Sequence, residues 1–206
     1  MSADPVFSKC AEGKWFAHSN AYAAFGPIVA RKLDCSFMLS AVSGMGMYRN
    51  WNSDSPVMKD VYESVVLSPN PNTPRLNYDA YHPDVISICV GANDLADGDG
   101  VHPRLPFDST KFITSYVAFV NNLHAHHPLA KFLLLNSPVN SPDKDAMFKA
   151  CLKSLEKKLK EEMKVEVRVQ YFSLINPNGC DGHPDLVQHE AMANEIEPAL
   201  RELLGK

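Results

Sequence analysis

Apolar residues in this chain fall into short, partly β-branched runs, separated by longer stretches where they recur three and four positions apart. Residues 36–42, 84–90, 131–136 and 165–172 are the short runs, each of strand length. Residues 21–33, 108–126, 143–163 and 186–204 carry the helical spacing. In the last of them Leu186, Met192, Ile196, Leu200 and Leu203 form one stripe, as a helix with a single buried face requires. Asp108 and Asp143 stand where a carboxylate caps a helix N-terminus, and Pro128 ends the helix that precedes it. Strands that alternate with helices need crossover connections. The pattern therefore predicts an α/β fold, a three-layer α/β/α sandwich around a parallel sheet. Residues 50–82 depart from it. They are polar and broken by Pro56, Pro69, Pro71 and Pro74, with 57–66 the one apolar-periodic part, and they read as a short helix between long loops at a rim of the sheet.

Length and charge narrow the picture. With 206 residues and neither repeat nor low-complexity linker, the chain reads as one domain, 1–206, large enough to bury a core. A formal charge of −4 argues against nucleic acid as a partner, since tracking phosphates takes a basic stripe. No apolar stretch approaches the ~20 residues that span a bilayer, so no membrane partner is expected. The N-terminus shows no basic segment followed by an apolar one, hence no visible signal peptide, and the compartment stays open. The cysteines (Cys10, Cys35, Cys89, Cys151, Cys180) are odd in number and scattered, which predicts neither a zinc site nor a disulfide framework.

The chemistry lies where the strands end, because ligands of an open parallel sheet gather at its carboxyl edge. The run 36–42 leads into Ser43-Gly44-Met45-Gly46, and 84–90 leads into Gly91-Ala92-Asn93-Asp94. The last run leads through a Pro/Gly loop to Asp181-Gly182-His183-Pro184. A backbone N–H at Gly44 and a side-chain amide at Asn93 are suited to an oxyanion, and an imidazole at His183 to proton transfer. Ester cleavage needs that combination: donors for the tetrahedral intermediate, and a base that takes the hydroxyl proton and returns it to the leaving alcohol. Asp181 would orient the imidazole and stabilise its charged form.

These blocks resemble the SGNH (GDSL-like) hydrolase superfamily. Gly44 matches its glycine block, Gly91-x-Asn93-Asp94 its asparagine block and Asp181-x-His183-Pro184 its histidine block. Within it the chain looks most like the SGNH domain of the second carbohydrate-esterase family, which deacetylates sugars and polysaccharides. The segments that carry this are Asn20-Ala21-Tyr22-Ala23-Ala24-Phe25-Gly26, Ala30-Arg31-Lys32-Leu33 and Ser43-Gly44-Met45-Gly46-Met47-Tyr48-Arg49-Asn50. The resemblance implies a flavodoxin-like sheet, an acyl-ester substrate of small-molecule or oligosaccharide size, His183 with Asp181 as catalytic residues, Gly44 and Asn93 as the oxyanion hole, and no cofactor.

The chain departs from the family pattern in two ways. The family acid stands three residues before the histidine, where this chain has Cys180, so a backbone carbonyl is a competing orienter for His183. The family's first block, a strand ending in Gly-Asp-Ser, has no match in 1–20, with Val6-Phe7-Ser8 only a poor imitation. The expectation is a domain that begins inside a longer one and lacks its first strand. Runs 36–42 and 84–90 would then face a gap, filled by another segment, by a second copy in a homodimer, or by direct closure of the two. A strictly monomeric species in solution would count against the dimer. Ser43, Ser8 and Ser19 are weak substitutes for the nucleophile, since Ser43 adjoins the oxyanion glycine and would attack from the wrong side.

Other residues add less. Tyr48, Trp51 and Tyr81 are placed for sugar stacking or for loop packing. His124, His126 and His127 suit a helix C-terminus better than a metal, and no metal ligands are assigned. Asp94, Asp97 and Asp99 imitate a calcium loop without its terminal glutamate, which excludes that reading. His189 is expected on the surface. Two functions compete with the acetyl esterase: a catalytically inactive module that binds acylated carbohydrate, and an esterase or lipase for other short acyl esters.

Overall fold

A computed structural model describes residues 19–206, which form two compact units. The larger, residues 40–137 with 142–171, contains the sheet. Its strands β1 (Val85–Ile88), β2 (Lys131–Leu135) and β3 (Val167–Gln170) run parallel in the order β1-β2-β3, with Ile86 opposite Phe132 and Phe132 opposite Val167. β2 is the central strand, and Phe132, Leu133, Leu134 and Leu135 are all fully buried. A strand covered on both faces reads as a continuous apolar run, which is how 131–136 reads.

Three helices complete this unit: α2 (Met58–Val61), α3 (Ser109–His126) and α4 (Pro142–Met163). Phe112, Tyr116, Phe119 and Leu123 of α3 join Phe148, Leu152, Leu155 and Leu159 of α4 and Phe132 and Leu134 of β2 in one core cluster. Phe112 meets Phe148 edge to face with ring centroids 5.7 Å apart. Asp108 caps α3 as expected, its carboxylate accepting from Lys111 N at 2.9 Å. Asp143 does not cap α4. The helix begins at Pro142, whose missing N–H suits the first helical position, and Asp143 lies in the first turn.

The expected strand 36–42 does not form. These residues make no ladder bonds among the described residues, and Phe37, Met38 and Leu39 are 41%, 47% and 48% exposed. Among the described residues the sheet stops at β1, so 36–42 and β1 have not closed on each other. A strand is stable only beside a partner, and no described residue pairs with 36–42. The Val6-Phe7-Ser8 segment lies outside the described residues.

The smaller unit comprises the described residues up to 39 with 138–141 and 172–206, and packs α1 (Phe25–Lys32) against α5 (Leu186–Leu204). The predicted helix 21–33 is interrupted: a 3-10 turn, Ala21–Ala23, precedes α1, and Ala24 between them is extended. α5 opens on a capping box in which Asp185 accepts from Gln188 N at 2.8 Å and Gln188 accepts from Asp185 N at 3.1 Å. Gly205, left-handed at φ 69°, closes it. Met192, Ile196, Leu200 and Leu203 are buried as the stripe predicts. His189 is buried as well, correcting its surface placement: its Nδ1 accepts from Phe25 N at 3.3 Å and its ring stacks on Phe25. Those contacts put it on the α1-facing side of α5.

Candidate active site

Two loops of the larger unit carry the oxyanion candidates, and buried polar groups define their shape. Gly91 follows β1 at φ +147°, where a Cβ would lie 2.4 Å from Cζ of Phe148, so the aromatic core presses directly on the loop backbone. The chain then turns, with Leu95 N donating to Ala92 O at 3.2 Å and Ala96 N to Asn93 O at 3.3 Å. This sends the fully buried Asp94 carboxylate beneath residues 46–49. It accepts from Met47 N at 2.8 Å, Tyr48 N at 2.8 Å and Arg49 N at 3.2 Å. Burial raises the Asp94 pKa, and these backbone donors oppose the shift. Gly46 must be glycine here, because a Cβ would sit 2.0 Å from the Arg49 carbonyl and 2.4 Å from Asp94 Oδ2.

Asn93 and Gly44 are brought together by the same folding. Asn93 Nδ2 donates to the Met45 carbonyl at 2.9 Å, which commits one amide proton and leaves the second. Gly44, at φ +76°, accepts from Trp51 N at 2.8 Å, and among the described residues its own N–H makes no hydrogen bond. Asn50 braces the far side of the loop, accepting from Gly46 N at 3.0 Å and donating to Pro56 O at 2.8 Å. Two guanidinium groups tie the loops to each other. Arg49 Nε donates to Asp94 O at 2.7 Å and its Nη1 to Leu105 O. Arg104 donates through Nε to Ala96 O at 2.8 Å and through Nη2 to the carbonyls of Asn50 and Asn93.

The aromatic candidates separate. Tyr48 is half-buried against Phe107, and its hydroxyl accepts from Asp108 N at 2.9 Å, which pins the start of α3. Trp51 is 48% exposed, next to Gly44. Ser43 is exposed and makes no hydrogen bond among the described residues.

His183 belongs to the smaller unit. Asp181 and Gly182 are both left-handed, at φ 54° and φ 72°, so the chain doubles back in a tight turn of the kind Asp-Gly favours. The turn closes with His183 N donating to Cys180 O at 3.1 Å and Gly179 N to His183 O at 2.8 Å. The imidazole folds onto the same acceptor: Nδ1–H donates to Cys180 O at 3.0 Å. That bond fixes the tautomer and leaves Nε2 as the basic nitrogen. The Asp181 carboxylate is exposed and makes no hydrogen bond among the described residues. Cys180 is disulfide-bonded, which corrects the expectation of unlinked cysteines.

Sequence reading did not single out Asp94's support of the 46–49 turn, Arg49 or Arg104. The Asn-Asp dipeptide is visible in the sequence, but Met47 and Arg49 stand some 45 residues before Asp94, and only folding shows their bonds to it.

No protein-family model matches the chain. It is 30% identical over 205 residues to an acetylxylan esterase / glucomannan deacetylase of Cellvibrio japonicus, a match covering 98% of this chain and 53% of that protein. Its structure is similar to that of a family two carbohydrate esterase from Cellvibrio japonicus, with TM-score 0.83 and 27% identity over 99% of this chain and 57% of that one. A family two carbohydrate esterase from Clostridium thermocellum, solved in complex with cellohexaose, matches with TM-score 0.81 and 23% identity over 91% of this chain and 56% of that one. The chain spans about half the length of the relatives it matches. By sequence over nearly its whole length and by fold, the relatives of this chain are carbohydrate esterases of family two, and it shares their SGNH-type α/β fold.

Proposed function

We propose that this chain is the hydrolase-fold part of a carboxylic ester hydrolase that removes O-acetyl groups from carbohydrates such as xylan or its oligosaccharides. The observation that carries this reading is a pair of donors brought together from two loops: the Gly44 N–H, uncommitted among the described residues, and the Asn93 amide anchored on Met45, the residue next to Gly44. Such donors act on the oxyanion of a tetrahedral intermediate, and one of them is commonly worth ~3 kcal/mol of barrier. The general base in this reading is His183. With Nδ1 committed to the Cys180 carbonyl, Nε2 takes the proton of the attacking hydroxyl as the C–O bond forms. It returns that proton to the leaving sugar oxygen. Where the hydroxyl is that of water the acid is released directly, and where it is a side chain's, water then repeats the sequence on the acyl-enzyme. In this reading Cys180 O orients the imidazole, Asp181 shapes the turn, and Trp51 offers a face to the sugar. The names of the relatives, acetylxylan esterase and glucomannan deacetylase, support the choice of substrate.

Hydrolysis of 4-nitrophenyl acetate, with His183→Ala in parallel, tests the proposal. Turnover by wild type and loss of about 10³-fold or more in the variant is the expected result. Equal rates in both would remove His183 from the mechanism. The missing Gly-Asp-Ser block favours a second reading, in which the chain binds acylated carbohydrate without cleaving it. Calorimetric binding of acetylated xylo-oligosaccharide without acetate release would identify that case, and a chain-length series of aryl esters would expose a preference for other acyl groups.

A further inference from the structure

We infer that Arg104 is a positioning residue that sets Asn93 against the Gly44 loop. Its guanidinium crosses from one loop to the other on three carbonyls: Ala96 O at 2.8 Å, Asn93 O at 3.3 Å, and Asn50 O. Asn93 is thereby held twice. Its side chain is fixed by the Met45 carbonyl and its main chain by Arg104, so the remaining amide proton has little freedom of direction. Asn50 is likewise held twice, by Arg104 at its carbonyl and by Gly46 N at its side chain, which passes the restraint into the glycine loop. The surroundings make room for this bridge. Gly98 is left-handed at φ +78°, and a Cβ there would lie 3.3 Å from Arg104 Cδ and 2.9 Å from Asn52 Oδ1. A planar fork with five donors spans three carbonyls, whereas a lysine ammonium is a point charge on a flexible stem.

The inference rests on Asn93 being an oxyanion donor, and the experiment keeps the two claims apart. The full chain, Arg104→Ala and Arg104→Lys are compared by the side-chain amide resonances of Asn93, assigned with Asn93→Asp, and by kcat and KM for 4-nitrophenyl acetate. The expected result is displacement of the Asn93 amide pair in both variants, with kcat down about 10- to 100-fold in Arg104→Ala. KM should stay within about twofold, since a positioning loss falls on the transition state. Millimolar guanidinium should return both the resonances and part of kcat in Arg104→Ala. An Asn93 amide that stays at its wild-type position in both variants overturns the inference. A displaced amide with kcat unchanged upholds Arg104 as the positioning residue and removes Asn93 from the oxyanion hole. If the chain does not turn over the ester, the amide resonances and their return with guanidinium decide alone, and if Arg104→Ala does not fold, Arg104→Lys carries the same measurement.

Discussion

Gly44 and Gly46 stand two positions apart in one loop and are glycines for different reasons. At Gly46 the space is occupied, with a carbonyl and a carboxylate oxygen where a Cβ would go. At Gly44 the space is open, the nearest atom being Trp51 Cβ at 3.9 Å, and only the left-handed φ disfavours a side chain. Gly44→Ala should therefore destabilise by about 1–2 kcal/mol, and Gly46→Ala, which must displace the buried Asp94 bonds, by about 3 kcal/mol or more. Urea denaturation of the two variants checks this, and equal midpoints would contradict it. The sequence shows both glycines but not this difference, since Asp94 lies far along the chain. The residue types proposed for the chemistry, a glycine, an amide and an imidazole, are legible because such roles call for those side chains. The groups that hold them in place are not, because they act on backbone carbonyls and amides that carry no residue-specific signal.

Elements read well where burial on both sides, or on one stripe, imposed a pattern. β2, α3 and α5 appear where periodicity places them because Phe132–Leu135 and the buried face of α5 leave no alternative arrangement. Residues 36–42 have the composition of a strand, yet composition does not show which segment pairs with them, and none does among the described residues. The histidines at the end of α3 show the converse, a cluster whose role is packing. His126 stacks on Tyr78 at 3.8 Å and 10°, and His127 meets the same ring edge-on at 5.4 Å. His127 is buried, and burial, then His126 and His82, depress its pKa. A histidine whose folded pKa lies below its unfolded value favours the folded state above about pH 6.5. That contribution is lost as the pH falls through the folded pKa, because the unfolded chain then takes the proton more readily. The urea midpoint of wild type should thus fall between pH 7.5 and pH 5.5 more than that of His127→Asn. Parallel curves for the two proteins would show that His127 does not govern this dependence.

For the molecule as a whole, the disulfide at Cys180 is the feature that five scattered cysteines did not foretell. Pairing depends on which segments meet in space, and sequence spacing is silent on that when no short motif is present. Cys180 thus has two separate attachments, its sulfur to another cysteine and its carbonyl to His183. Cys180→Ser should lower stability by about 2–4 kcal/mol while leaving His183 Nδ1 bonded, because the acceptor is main chain. Thermal melting together with the imidazole nitrogen shifts of His183 would show both effects, and a changed tautomer in the variant would contradict the second. The turn at Asp181 and Gly182, with its two left-handed residues, aims that carbonyl, so the acceptor belongs to the path of the backbone and not to any side chain. Drift at position 180 can exchange one residue for another without erasing it. A histidine served in this way leaves no acidic letter in the sequence, and a motif scan that demands one will pass over every relative built on the same turn.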